Sequence, residues 1–123
     1  MAIVELNEAN FEEVVSGNDF VIVDYWAPWC GPCKSFAPTF EAVSEEFPNI
    51  VFAKVNTEVE QGIAGHFQIR SIPTLMIFRD NIIIYSEGGA LPAGQLRELL
   101  TKASELDMDE VRKQIAESQE NAE

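Results

Sequence analysis

The chain has 123 residues, of which 46% are hydrophobic, and this combination predicts one globular domain with one core. Its net charge of −13 makes phosphate backbones and anionic lipid poor partners, so we expect neither nucleic acid nor a membrane to bind. The sequence also has no basic segment followed by an apolar run at its start, and no stretch as long as a membrane span. We therefore expect a cytoplasmic protein, in which paired cysteines are more often catalytic or metal-binding than structural.

The first predicted elements are a short strand, a helix and a buried strand. Residues 2–6 form the first strand, and residues 7–16 form a helix that Asn7 caps and Gly17 ends. Residues 20–26 are an almost continuous apolar run, rich in β-branched and aromatic side chains. Such a run is typical of a strand that is buried on both faces of a sheet.

The second helix is predicted over residues 33–47. Pro38 lies inside it and should kink it, because proline removes a backbone donor and clashes with the preceding turn. An apolar stripe at three- and four-residue spacing comprises Phe36, Phe40, Val43 and Phe47. Residues 50–55 then form a third strand, and residues 57–66 a third helix.

A hairpin follows, with strands over residues 74–79 and 82–86 joined by the turn pair Asp80-Asn81. Gly88-Gly89 breaks the second of these strands, and a helix opens at Pro92. The order β-α-β-α-β-α-β-β-α implies parallel pairing in the first part and antiparallel pairing in the hairpin. The predicted fold class is therefore α/β, with a mixed central sheet of about five strands and helices on both faces.

Residues 105–123 differ in character from this domain, which we place at residues 1–104. They predict a short amphipathic helix with Asp107 as N-cap and Glu110 three residues later. Its narrow apolar stripe consists of Met108, Val111 and Ile115. We expect this extension to dock on its own domain or to fray, and the alternative is a helix that binds a partner or a second copy of the chain.

The only two cysteines, Cys30 and Cys33, lie where the buried strand gives way to the second helix. A thiolate is the species that attacks a disulfide, and the free N–H groups and dipole of a helix N-terminus favour negative charge on Cys30. Cys33 lies one turn further in, where it suits the resolving role. Gly31 allows a tight turn, and Pro32 is tolerated in the first helical turn. The pair predicts a dithiol that closes into a disulfide and opens again.

The segment Trp26-Ala27-Pro28-Trp29-Cys30-Gly31-Pro32-Cys33-Lys34 resembles the active-site motif of the thioredoxin family. The resemblance covers about residues 3–104 and includes Ile72-Pro73-Thr74 and Gly88-Gly89-Ala90. It implies the thioredoxin fold and a protein-disulfide reductase that maintains redox homeostasis. It also implies a redox-active disulfide with no bound cofactor, which an NADPH-dependent flavin enzyme, thioredoxin reductase, recycles.

The same resemblance implies roles for residues outside the motif. A cis peptide between Ile72 and Pro73 should face the cysteines, so that the Ile72 backbone pairs with an extended substrate segment. Asp24, in the buried strand, should be desolvated with a raised pKa. The family's aspartate at this position acts as general base, through water, for the resolving cysteine, and Lys54 matches the lysine that pairs with it.

We expect an apolar recognition surface around the cysteines, with Trp26 as structural support. The residues predicted to bind substrate are Trp29, Gly31, Pro32, Ile72, Pro73, Gly89 and Ala90. The only histidine, His66, should lie away from the site, and we predict no metal. Two positions depart from the family: Asp80-Asn81 replaces an Asn-Gly turn, and Ser71 stands where glycine is frequent.

Two other function classes stay open at this stage. The first is metal binding, which has a ligand deficit within one chain but could use Cys30 and Cys33 of two chains around one cluster. The second is a binding module, either a holdase or a processivity-type subunit, that uses the apolar surface and the C-terminal helix. We expect a monomer, disulfide-containing client proteins and thioredoxin reductase as partners, with a dimer through the C-terminal helix as the alternative.

Overall fold

The computed structural model describes residues 3–121 and confirms the predicted alternation of strands and helices. The elements are β1 (Val4–Glu5), α1 (Phe11–Ser16), β2 (Phe20–Trp26), α2 (Gly31–Ser44), β3 (Val51–Asn56), α3 (Gln61–His66), β4 (Thr74–Arg79), β5 (Ile82–Gly88), α4 (Ala93–Ser104) and α5 (Met108–Asn121). None of these helices combines the length and the apolar character that a membrane crossing requires.

Three helices begin at other residues than the sequence predicts, and side-chain hydrogen bonds explain two of the differences. The Asn7 side chain accepts hydrogen bonds from the backbone N–H groups of Ala9 and Asn10, at 2.8 and 3.0 Å, and holds a turn before α1. The Asn56 side chain accepts from the N–H of Glu58 at 3.0 Å and delays α3 in the same way. In α2 the helix starts two residues early, at Gly31, because Cys30 serves as the N-cap.

The five strands form one mixed sheet in the order β1-β3-β2-β4-β5. Strands β1, β3 and β2 are parallel, whereas β4 pairs antiparallel with both β2 and β5. Strand β2 is central, and its first six residues are buried. The carboxyl ends of β2 and β3 therefore meet the amino end of β4 at one edge of the sheet, which we call the redox edge.

Two apolar clusters cover the two faces of this sheet. Alternate β2 side chains point to opposite faces, so Ile22 packs in the cluster with α2 and α4. Val21 and Val23 pack in the cluster with α1 and α3. These clusters confirm helices on both faces, and they fix the direction in which every side chain of β2 points.

The hairpin turn has positive φ angles at both central residues, 52° at Asp80 and 64° at Asn81. This is the backbone that a two-residue hairpin requires, and Asp and Asn tolerate it better than other side chains do. The departure from Asn-Gly therefore leaves the hairpin intact. Strand β5 extends to Gly88, two residues beyond the prediction.

The C-terminal helix α5 is attached to this hairpin. Asp107 caps it, since its Oδ1 accepts from the N–H groups of Asp109 and Glu110 at 3.0 and 3.2 Å. Met108 is buried, and Arg112 donates to Asp80 Oδ2 at 2.9 Å. Asp80 follows β4, a six-residue strand that starts at the redox edge. The contact with α5 therefore lies at the opposite end of the sheet from the cysteines.

Candidate redox site

Cys30 and Cys33 are joined in a disulfide, with their Cα atoms 5.3 Å apart. Cys30 is the N-cap of α2, and its Sγ accepts a hydrogen bond from the N–H of Cys33 at 3.2 Å. Both side chains are almost fully buried, 4% and 2% exposed, so exposure alone separates them little. The difference between them is that the Cys30 sulfur receives the helix N–H, a contact that stabilises a thiolate.

The loop before β4 brings a second backbone segment against Cys30. The Ile72-Pro73 peptide is cis, as the family resemblance implies. The carbonyl oxygen of Ile72 lies 3.8 Å from the Sγ of Cys30, and Ile72 itself is half-buried. The Pro73 carbonyl accepts a hydrogen bond from the N–H of Gly89 at 2.8 Å. This bond draws the end of β5 to the same edge.

Most residues predicted to bind substrate are exposed at this edge. Trp29 is 68% exposed. Gly31, Pro32, Gly89 and Ala90 are also exposed, and only Pro73 is buried. Gly89 has a φ of 107°, a conformation that favours glycine.

Gly31 does not have the backbone role that the sequence predicts. Its φ is not positive, and a Cβ built on it would meet no atom within 4 Å. The turn into α2 therefore does not require glycine at this position. Because Gly31 has no side chain, its backbone remains accessible beside the disulfide.

Asp24 is the most perturbed carboxyl group of the site. It is 0% exposed, and neither carboxylate oxygen has a hydrogen-bond partner within residues 3–121. Burial raises the pKa of Asp24 from 3.8 to about 7, and the positive charge of Lys54 offsets part of this effect. Asp24 pairs in register with Lys54 of β3, on the face that packs against α2. The carboxyl can therefore gain or lose a proton near neutral pH.

Lys54 is adjacent to Asp24 in the sheet, but its ammonium group contacts a ring. The Nζ atom lies 4.7 Å from the centroid of the Trp26 ring, a cation–π geometry. The Nε1 of Trp26 is buried and has no hydrogen-bond partner among the described residues. The lysine thus acts on the carboxyl through its charge while it packs on the indole.

Sequence reasoning missed one residue of the site, Glu58. Its Oε2 accepts a hydrogen bond from the indole Nε1 of Trp29 at 2.8 Å. The turn that carries Glu58 is tied to β2, because both the N–H and the hydroxyl of Thr57 donate to the Trp26 carbonyl, at 2.8 and 3.0 Å. Glu58 has no local signal in the sequence, because only the pairing of β2 with β3 brings it beside Trp29.

His66 lies outside the site, as predicted. It ends α3, where its ring meets that of Phe67 edge-on at 4.8 Å between centroids. It also lines a cleft of about 680 Å³ between α1, α3 and the hairpin. Within residues 3–121, no three His, Cys, Asp or Glu side chains come together as a metal site would need.

Comparisons with known proteins agree with this geometry. Residues 2–102 match the thioredoxin family model. The chain is 49% identical over 119 residues to "Putative thioredoxin 2" of Streptomyces coelicolor, which covers 97% of this chain and 89% of that protein. It is 41% identical over 104 residues to thioredoxin of Porphyra purpurea, covering 83% and 97% of the two chains. A solved structure of Plasmodium falciparum thioredoxin superposes with a TM-score of 0.76 at 32% identity, covering 81% of this chain and 98% of that one.

Proposed function

The chain belongs to the thioredoxin family and is a thiol–disulfide oxidoreductase that reduces disulfides, and on that premise we propose how its residues divide the reaction. The observation that carries the assignment is the sulfur of Cys30 at the N-cap of α2, beside a cis proline loop. Cys30 is the attacking residue and Cys33 the resolving one. The family needs no bound cofactor, because the two cysteines themselves carry the electron pair.

The reaction consists of two thiol–disulfide exchanges. The Cys30 thiolate attacks one sulfur of a client disulfide, and the other client sulfur leaves as a thiolate. The thiolate of Cys33 then attacks the Sγ of Cys30 and expels the second client sulfur. The client gains two electrons, and the chain is left with the Cys30–Cys33 disulfide. The N–H of Cys33, which lies 3.2 Å from the Cys30 sulfur, favours the thiolate that starts the sequence.

Asp24 supplies the base for the second exchange. Cys33 must lose its proton before it can attack, and a carboxyl whose pKa is about 7 can accept that proton at neutral pH. Asp24 lies on the face of β2 that packs against α2, the helix that carries Cys33. The proton passes through water, and the charge of Lys54 keeps part of the carboxyl population ionised.

The client binds as an extended segment along the cis proline loop. A strand-like segment can form hydrogen bonds with the backbone of Ile72, whose carbonyl lies 3.8 Å from the Cys30 sulfur. The exposed indole of Trp29 provides apolar surface beside it, and the open backbone at Gly31 and Gly89 lets the client chain approach closely. Backbone pairing supplies affinity that does not depend on the client's side chains, so many client sequences can bind.

We further propose a cytoplasmic protein that an NADPH-dependent flavin thioredoxin reductase recycles. Its clients are disulfide-containing proteins, and the chain acts as a monomer with a domain at residues 1–104. The extension at residues 105–123 docks on that domain, supported by the buried Met108 and the Arg112–Asp80 hydrogen bond. Size-exclusion chromatography of the full chain against a chain truncated after residue 104 tests this arrangement. A larger oligomer of the full chain alone would indicate dimerisation through α5.

The division of roles is tested by insulin reduction with dithiothreitol. Wild type should accelerate precipitation of the insulin B chain, and Cys30→Ser should abolish the acceleration. Cys33→Ser should instead accumulate a mixed disulfide with the client, visible by mass spectrometry without reductant. A Cys30→Ser chain that still reduces insulin would overturn the proposed roles.

A further inference from the structure

The indole of Trp29 is an exposed aromatic group held by a single polar contact. It is 68% exposed, directly before Cys30, and its Nε1 donates to Glu58 Oε2 at 2.8 Å. A hydrogen bond to an ionised acceptor is stronger and better oriented than a neutral one. Without this contact the ring could rotate freely in solvent and would be ordered only when a client binds, which weakens binding.

Glu58 is itself fixed from three sides. Its backbone N–H donates to the Asn56 side chain at 3.0 Å, and its carbonyl accepts from Gln61 Nε2 at 3.1 Å. The preceding residue, Thr57, is bonded twice to the carbonyl of Trp26 at the end of β2. These hydrogen bonds tie the backbone that carries Glu58 to the end of the sheet, so the acceptor is presented from a segment separate from the active-site loop.

Glu58 also introduces a charge at the edge of an apolar surface. The predicted substrate-binding residues around it are all uncharged. Only one oxygen of the carboxylate is used, because within residues 3–121 Oε1 has no hydrogen-bond partner. That second oxygen can accept a hydrogen bond from a cationic side chain of a bound client.

We propose that Glu58 is a positioning and specificity residue, which orients Trp29 for client binding and favours client disulfides flanked by a lysine or arginine. This inference rests on the proposed function, since it assumes that clients bind beside Trp29 and react with Cys30. The substrate class it names is a disulfide in an extended segment with a cationic neighbour.

The two parts of this role are separated by two substitutions. Glu58→Gln keeps an oxygen acceptor for the indole and removes the charge, whereas Glu58→Leu removes both. Glu60→Gln is the matched control, because Glu60 lies in the same turn but its Oε1 accepts from the backbone N–H of Glu8 at 3.3 Å. Each variant loses one negative charge, so a change in net charge alone affects all three equally.

The first measurement is the rate of reduction of two disulfide peptides that differ only in a Lys or a Gln beside one half-cystine. Wild type should prefer the Lys peptide in kcat/KM, and Glu58→Gln should lower this preference about fivefold, the effect of one charge pair near 4 Å in water. Glu60→Gln should leave the ratio unchanged. Because Lys34 and Arg70 are present in every variant, comparing the peptide ratio of each variant with that of wild type cancels their contribution.

The second measurement is the indole N–H resonance of each tryptophan in a ¹⁵N-labelled oxidised chain. Glu58→Leu should shift the Trp29 resonance upfield, speed its exchange with water and raise KM for both peptides. Glu58→Gln should keep the resonance and the KM for the uncharged peptide near wild type, and should raise KM only for the Lys peptide. Trp26 serves as internal reference.

An unchanged Trp29 resonance in Glu58→Leu, or an unchanged peptide preference in Glu58→Gln, would overturn the inference. Failure of the proposed function would show differently, as peptide reduction that persists in Cys30→Ser.

Discussion

Burial of the Asp24 carboxyl should lower the free energy of unfolding by an amount that depends on pH. Its pKa is 3.8 when exposed and about 7 in the folded chain, because burial disfavours the ionised form. At pH values between these two pKa values, the folded state therefore keeps a proton on Asp24 that the unfolded state releases. Stability contributed by the neutral carboxyl is complete below pH 3.8 and is lost as the pH rises through 7.

The magnitude follows from the difference between the two pKa values. Roughly three pKa units at about 1.4 kcal/mol each give a penalty of about 4 kcal/mol above pH 7. The side chain is 0% exposed, so solvent does not screen this cost. Asp24→Asn has nearly the same shape and stays neutral, so it should stabilise the oxidised chain by about 4 kcal/mol at pH 9. At pH 4 the gain should fall below about 1 kcal/mol.

Urea unfolding of the oxidised chain from pH 4 to 9, followed by tryptophan fluorescence, measures this difference. Asp19→Asn is the control, because Asp19 is exposed just before β2 and its substitution should change stability by less than about 0.5 kcal/mol. A gain in Asp24→Asn that is independent of pH would refute the reasoning, since a packing effect would not follow the titration. The same variant should slow insulin reduction at pH 7, as it lacks the proposed base.

Three further outcomes are expected. Lys54→Met should raise the pKa of Asp24 above its value of about 7, because the nearby positive charge is lost, and ¹³C NMR titration of the carboxyl should detect the change. Gly89→Ala should lower the free energy of unfolding by about 1 kcal/mol or more, since its φ of 107° strains an alanine. Gly94→Ala in α4 should instead raise the free energy of unfolding by up to about 1 kcal/mol, because alanine favours a helix. Equal effects of the two substitutions in urea unfolding would contradict this expectation. Arg112→Ala should speed hydrogen exchange of the α5 amides without changing exchange in β2, and unchanged α5 protection would mean that the helix does not depend on this contact.

Local patterns were sufficient to predict the fold. The apolar run over residues 20–26 predicted a buried strand, and β2 has those bounds. The same holds for β4 at residues 74–79, which the turn pair Asp80-Asn81 delimits. Helix starts were less accurate, because Asn7 and Asn56 bond to nearby backbone N–H groups and hold turns where the apolar pattern already suggests a helix.

Some features of the site could likewise be predicted from short segments of the sequence, and others could not. The Cys30–Cys33 pair, its place at a helix N-terminus and the cis Ile72-Pro73 peptide could all be inferred from short segments and their resemblance to one family. The role of Gly31 was predicted wrongly, because a glycine in a sequence does not show whether its backbone or its missing side chain matters. Here the φ is ordinary, and the open space is the relevant property.

The sequence alone determined the order of the elements and the chemistry of the dithiol, since both depend on residues close together in the chain. Only the tertiary structure decided the surroundings of that dithiol. Asp24 became a carboxyl with a pKa of about 7, without a hydrogen-bond partner within residues 3–121, because the strands on both sides of β2 and the helix that packs on them bury it. Trp29 and Glu58 became partners because the pairing of β2 with β3 brings together two residues that lie 29 positions apart.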